Sequence, residues 1–246
     1  MQHNKYQEFM AEMFGTMFIL LFGNGVNAMA TLFNLGGYTN ITFGWGLGVF
    51  LGILVSNRIT GAHLNPAITI ALTLSKRFPA KKVPLFICAQ MIGGFLGAAL
   101  VYFFYSAKFQ QVDPTLAHSA GIFTTFPAIT TSFMPGFMAE IIATAILMFA
   151  ILAIVENFIT DKAGFLAPFA VAALIVAIGM SFGGMHGYAM NPARDFSPRL
   201  FVTLMGFQHT GLGGGSWIWA APVFGSIIGA PLGAWLFDLT LAKGKK

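Results

Sequence analysis

Six long apolar runs limit what this chain can fold into: roughly 9 to 33, 40 to 57, 83 to 105, 136 to 157, 166 to 183 and 217 to 239. Each is of the length a helix needs to cross a hydrocarbon core of about 30 Å at about 1.5 Å per residue. Charged residues make up only 9% of the 246, against roughly 25% in soluble domains, so the chain cannot coat a globule with polar groups. The expected fold is an all-α membrane protein of six transmembrane helices, a single domain over 1–246 with no room for a separate soluble one. Soluble enzymes and nucleic-acid binders are excluded. The formal charge of +5 does not argue for a nucleic-acid partner, because the basic residues cluster at the ends of the apolar runs. Cys88 stands alone, so no internal disulfide or thiolate metal cluster is expected, and no metal or cofactor site is assigned. Lys5, Glu8, Glu12, Asn24 and Asn27 interrupt the pattern of a cleaved signal, so the N-terminus is expected to stay.

Two further segments, 65 to 76 and 191 to 203, look helical but reach only about half way across. Both open with one tripeptide, Asn65-Pro66-Ala67 and Asn191-Pro192-Ala193, spaced 126 residues apart. The preceding residues correspond, Gly61-Ala62-His63-Leu64 beside Gly187-Tyr188-Ala189-Met190, and Ala11-Glu12 is echoed by Ala139-Glu140. The chain therefore reads as a duplication with repeats of about 1–120 and 121–246. With three full spans and one returning half-helix per repeat, the second repeat starts from the opposite face, which makes the repeats inverted. The two re-entrant half-helices then meet near the midplane. Lys5, Arg58, Lys76, Arg77, Lys81, Lys82, Lys162, Lys243, Lys245 and Lys246 fall on one side, and Lys108, Arg194 and Arg199 on the other, so both termini are expected to be cytoplasmic.

Asn before Pro suits a helix start, since the Asn oxygen caps free N–H groups and Pro at the first helical position loses no bond. Two such starts facing each other in lipid, each with an amide NH2 to donate, point to a pore constriction at Asn65, Pro66, Ala67, Asn191, Pro192 and Ala193. About half a positive charge at each half-helix N-terminus repels cations there. Non-helical backbone at this depth is tolerated only when buried in protein or lining water, so Gly61, Ala62, His63 and Leu64, with His186, Gly187 and Tyr188, are expected to present carbonyls to a water path. Arg194 in the second half-helix is expected to face that path, because a lipid-facing charge costs about 2.5 to 3.5 kcal/mol. Glu12 and Glu140, at equivalent repeat positions, are expected to accept hydrogen bonds from the loops before the half-helices.

At these residues the sequence resembles the aquaporin family, in particular its glycerol-facilitator branch, over nearly the whole chain. The paired Asn-Pro-Ala motifs, Gly61-Ala62-His63, the Ala-Glu echo and Arg194-Asp195 carry the resemblance. It implies a homotetramer in a cell membrane, each protomer a passive pore for glycerol, other small neutral polyols and water that excludes ions and protons. By position it implies an outer selectivity filter of Trp45, Gly179, Tyr188 and Arg194, with Asp195 in support. Gly179 stands where strict water channels usually carry His, which implies a wider filter. Facilitators commonly have Phe where this chain has Tyr188, which leaves the glycerol-to-water ratio open.

Other readings remain beside this one. A mainly water-selective pore, or one for urea or ammonia, fits a filter narrowed by Tyr188. A coupled secondary transporter shares inverted repeats, and its ionisable candidates are Glu12, Glu140 and Arg194. No enzyme motif is apparent. His186 is either a pH-sensitive group at the outer vestibule or a solvated loop residue, and Arg58 either guides solutes at the inner mouth or snorkels at the interface. Trp217 and Trp219 read as interface anchors, Cys88 as packed on a neighbouring helix, and 106 to 135 as an outer loop.

Overall fold

A computed structural model describes residues 4–158, 166–213 and 217–242. The chain enters α1 (Lys5–Phe33) through a capping box in which Asn4 and Gln7 bond each other's backbone N–H. Then follow α2 (Tyr38–Thr60), the short α3 (Pro66–Leu74), α4 (Val83–Phe104) and α5 (Ser106–Val112). The second half runs through α6 (Met134–Phe158), α7 (Leu166–Phe182), the short α8 (Pro192–Leu204) and α9 (Ser226–Thr240). A π-helical turn, Ala221–Gly225, leads into α9, and Gly225 lets it pass against Glu140, whose Cβ would lie 2.8 Å from an added side-chain carbon.

Among the described residues, five helical segments are long and apolar enough to cross a bilayer; α7 has 17 described residues and follows directly on 159–165, which are outside them. The segment expected as loop from 106 to 135 contains α5 and a 3-10 turn, Ala120–Ile122. Its aromatic residues explain this, since Phe109 and Phe123 are buried with Phe201 and Phe207 in a cluster that needs a regular backbone to present them.

Packing repeats between the halves. In the first, α1 lies against α2 and α4; in the second, α6 lies against α7 and α9. Each half-helix packs on the last span of the other half, α3 on α9 and α8 on α4. The halves are thereby interlocked. Glycines carry the closest approaches: a Cβ at Gly93 of α4 would stand 2.2 Å from the Met13 carbonyl oxygen of α1, and one at Gly229 of α9 would stand 2.3 Å from that of Ile141 in α6. Packing of this kind holds helices together where lipid removes the hydrophobic drive.

Two ion pairs place the termini together. Lys82, before α4, bonds Glu8 of α1, and Arg77, after α3, bonds Asp238 of α9 through two hydrogen bonds. The start of α1, the α3–α4 connection and the end of α9 therefore share one face, the terminal face. Lys162, Lys243, Lys245 and Lys246, counted above for orientation, lie outside the described residues. Arg199, counted on the opposite side for orientation, is fully buried and paired with Asp195 inside the fold. Cys88 is exposed on α4 rather than packed, since the neighbouring Ala89 and Gln90 take the inward positions.

Gly93→Val should disrupt the α1–α4 contact, with overpacking of about 1–3 kcal/mol lowering the thermal midpoint of the detergent-purified protein. Gly25→Ala, where an added Cβ meets nothing within 4 Å, should leave that midpoint unchanged.

Candidate conduction site

The half-helices are 9 and 13 residues long, together about 33 Å at 1.5 Å per residue, enough to cross a core of about 30 Å end to end. Both start as their sequence requires. The Asn65 side-chain oxygen accepts from Ala67 N–H at 2.8 Å, and that of Asn191 from Ala193 N–H at 2.9 Å, with Pro66 and Pro192 first in each helix. Sequence reasoning left both amide NH2 groups free to donate. Instead each gives one hydrogen to the opposing loop, Asn65 to the Met190 carbonyl at 2.8 Å and Asn191 to the Leu64 carbonyl at 2.9 Å. This reciprocal pair clamps the two helix starts together, and each Asn retains a second N–H.

The loops that precede them have unusual backbones at matching positions. Gly61 and Gly187, Ala62 and Tyr188, and Leu64 and Met190 all have positive φ, between 40° and 82°. For the non-glycine residues this left-handed conformation costs about 1–2 kcal/mol each. It persists because buried carboxylates hold the loops. Glu12 accepts from His63 N–H at 3.1 Å and Leu64 N–H at 2.8 Å; Glu140 accepts from Ala189 N–H at 2.9 Å and Met190 N–H at 2.8 Å. Gln90 of α4 donates to both Glu12 and Thr69, an extra tie without a motif to announce it.

Three cavities follow one another along this junction. A central cavity of about 80 Å³ is lined on one wall by Ala62, His63, Leu64, Asn65, Tyr188, Ala189, Met190, Asn191 and Arg194, and on the other by Ile19, Val49, Ile53, Leu147, Ile151 and Ile175. The first group comes from the two loops and the half-helix starts, and the second is aliphatic. Toward the terminal face it shares Ile53, Ala62, His63 and Ile68 with a wider cavity of about 410 Å³, which also reaches Gly61. Toward the opposite face it shares Trp45, Tyr188 and Arg194 with a vestibule of about 260 Å³. Those three side chains are the neck between vestibule and central cavity.

The neck is tightly built. The Arg194 guanidinium carbon sits 3.9 Å over the centre of the Trp45 ring, and its Nη1 donates to the Phe123 carbonyl at 3.2 Å. Asn27 fixes Trp45 in turn: its side-chain oxygen accepts the indole N–H at 3.3 Å, and its NH2 donates to the Ile122 carbonyl. Gly23, one turn earlier, leaves room for the indole, whose atoms would lie 2.3–2.5 Å from an added Cβ. Gly179 is not among the residues that line either cavity, and its missing side chain makes room for Tyr188. The end of the Tyr188 ring fills the space, its Cζ 2.8 Å from where a Gly179 Cβ would stand. Tyr38 closes the back of this slot by donating to the Gly179 carbonyl at 2.9 Å.

His186 also departs from expectation. It lines neither the central cavity nor the vestibule and is not solvated; its ring is buried between Glu140 and Thr125. Asp195 is buried too, accepting from Thr125 N–H and hydroxyl and from Arg199, which reaches on to the Thr125 and Thr210 carbonyls. Thus the Phe123–Thr125 segment, which supplies the acceptor for Arg194, is pinned from α8. Arg58 is exposed and lines no part of the path. Trp217 is exposed and stacked on Trp219.

The loop is folded at its start by Asp113, which accepts from Ala117 N–H, His118 N–H and the Ser119 hydroxyl. Burial pushes this carboxyl up, but those hydrogen bonds outweigh it and hold it below its ordinary range. A depressed carboxylate stabilises above its unfolded value and loses that contribution as pH falls through the folded one. Protection of the 113–123 amides against exchange, relative to the intrinsic rate at each pH, should therefore fall below about pH 4 and, at neutral pH, in Asp113→Asn. Asn27→Val should free the indole of Trp45, shifting its emission and changing solute flux severalfold without loss of folded protein.

Helices α1, α2, α4, α6, α7 and α9 around two half-helices that meet head to head, with a narrow path through their junction, define a multi-pass membrane protein of the channel class. The chain belongs to the major intrinsic protein family, whose profile matches residues 1–237. It is 41% identical over 234 residues, 94% of this chain and 83% of its relative, to the glycerol uptake facilitator protein of Bacillus subtilis. It is 39% identical over 236 residues, 93% and 99% of the two chains, to a probable glycerol uptake facilitator protein of Thermotoga maritima. The X-ray structure of the aquaglyceroporin from Plasmodium falciparum superposes with a TM-score of 0.87 at 30% identity, covering 97% of this chain and 98% of that one.

Proposed function

We propose that the protein is a passive channel for glycerol and other small uncharged polyols, with water passing alongside. The observation that carries this reading is the neck. A solute with hydroxyls along one edge and carbons along the other fits a passage lined by the Arg194 donors together with the aromatic side chains of Trp45 and Tyr188. The central cavity continues the same division, backbone and Asn amides facing Ile and Val. Similarity to glycerol uptake facilitators supports the substrate class.

In this reading Trp45, Tyr188 and Arg194 form the selectivity filter, with Gly179 behind it. Asn65 and Asn191 donate their remaining N–H groups to passing hydroxyls, and the carbonyls of Gly61, Ala62, His63, Leu64, Gly187 and Tyr188 accept from them. Glu12, Glu140 and Asp195 support the framework. Arg194 and the two half-helix N-termini hold positive potential against cations and protons. The reading further includes one channel domain built from inverted repeats of about 1–120 and 121–246. It also includes a homotetramer in the cell membrane and a cytoplasmic terminal face.

Proteoliposomes of the purified protein, shifted into glycerol, should shrink and then re-swell far faster than protein-free vesicles, while an impermeant sugar gives shrinkage alone. Rapid shrinkage with no re-swelling above the control would mean a water-selective pore. Tyr188→Trp should reduce glycerol flux more than water flux; equal loss of both in folded protein would remove Tyr188 from the filter.

A further inference from the structure

The repeat correspondence of 126 residues places His186 opposite Thr60. Thr60 lies against Glu12, so in the first half the carboxylate that holds the loop has a hydroxyl neighbour that does not titrate. In the second half that place belongs to an imidazole. His186 Nδ1 lies 3.4 Å from Glu140 Oε1 and 3.3 Å from Thr125 Oγ1.

The surroundings fix the tautomer. The Thr125 hydroxyl spends its hydrogen on Asp195 Oδ2 at 2.8 Å, so it meets His186 with a lone pair, and the Glu140 carboxylate only accepts. Nδ1 must therefore carry the hydrogen, and Nε2 keeps a bare lone pair. That Nε2 is buried without a partner among the described residues. The His186 residue lines a side cavity of about 140 Å³ that also holds Thr130 and Ser132 and is lined by neither Tyr188 nor Arg194. Gly136 makes the room: an added Cβ there would stand 2.5 Å from the His186 ring. The cavity is large enough for water and carries the Thr130 and Ser132 hydroxyl groups beside His186 in an otherwise apolar lining, so it offers the imidazole a proton source apart from the conduction path.

We propose that His186 is a proton-binding site, loaded from this side cavity, that couples pH at the face opposite the termini to the neck of the channel. The inference rests on the reading of the chain as a solute channel. Protonation changes one bond, Nε2 gaining a hydrogen from water and becoming a second donor, and it places a positive charge beside Glu140. The charged groups around the ring are few. Glu140 faces it from α6, Asp195 lies one hydroxyl away on α8, and Arg199 and Arg194 lie beyond that, already bonded to Asp195 and Phe123. From the segment before α9, Trp217, Ile218 and Ala221 bring no charge. An imidazolium draws Glu140 Oε1 toward itself, and Oε1 is the acceptor for the Ala189 N–H. Ala189 directly follows Tyr188 in the strained loop that lines the path, so loosening that bond shifts the filter wall.

The test is glycerol flux in proteoliposomes between about pH 8 and about pH 5, the range in which imidazole titrates, alongside NMR of the His186 ring nitrogens in labelled full-length protein. Flux should fall by about fivefold or more on acidification, with the same midpoint as the His186 nitrogen shift. His186→Thr, which copies the residue the first half uses at this place, should fold, conduct at pH 8 and lose the pH response. PH-independent flux in the unaltered protein, or a response that persists in His186→Thr, would overturn the proposal. Absence of glycerol flux at every pH would instead overturn the channel reading, and a His186 shift that stays fixed across the range would overturn proton binding by itself.

Discussion

Lipid offers no water to backbone groups, and every part of this structure follows from how two interrupted helices meet that condition. A half-helix that starts at membrane depth brings unpaired N–H groups, and the loop leading to it brings unpaired carbonyls and amides, each costing several kcal/mol if left alone. Asn65 and Asn191 solve the problem for both helices at once, capping their own helix and crossing to the other loop. Glu12 and Glu140 take the loop N–H groups from behind. The loops themselves, Ala62 to Leu64 and Tyr188 to Met190, line the central cavity.

The exchange of half-helices extends this local solution to the whole molecule. Because α3 lies on α9 and α8 on α4, neither half can move its loop without moving a span of the other. The strained left-handed residues therefore sit in a frame with little freedom, which is what a fixed filter needs. At the neck the same logic appears in side chains. Arg194 is placed by Phe123, Phe123 by the loop, and the loop by Asp195 and Arg199, a buried pair with all its neighbours engaged. Trp45 is placed by Gly23 and Asn27 on α1.

Much of this was legible in the sequence, because the features concerned are periodic or repeated. The spans, the half-helices and the places of Asn65, Asn191, Glu12 and Glu140 could be read from apolar run length and from echoes 126 and 128 residues apart. Features resting on contacts distant in sequence and absent from the echo could not. The burial of Arg199 could not be read because its partners, Asp195, Thr125 and Thr210, meet only in the fold. Gly179 looked like an opening because nothing in the sequence says that the Tyr188 ring lies over it. His186 looked exposed because it follows a Gly-rich turn, whereas Glu140 is 46 residues away. Asn27 did leave a signal: an amide inside an apolar span is expensive and marks a specific task.

The central claim is that solutes pass between Trp45, Tyr188 and Arg194 with hydroxyls on the arginine and carbons on the rings. A high-resolution crystal structure of the protein in lipid, soaked with glycerol, tests it most directly. The account predicts glycerol density in the neck, two hydroxyls within hydrogen-bond distance of the Arg194 guanidinium and the carbon chain against Trp45 and Tyr188. Glycerol ordered elsewhere along the path while the neck holds only water, or a Tyr188 ring closed onto Arg194, would contradict it.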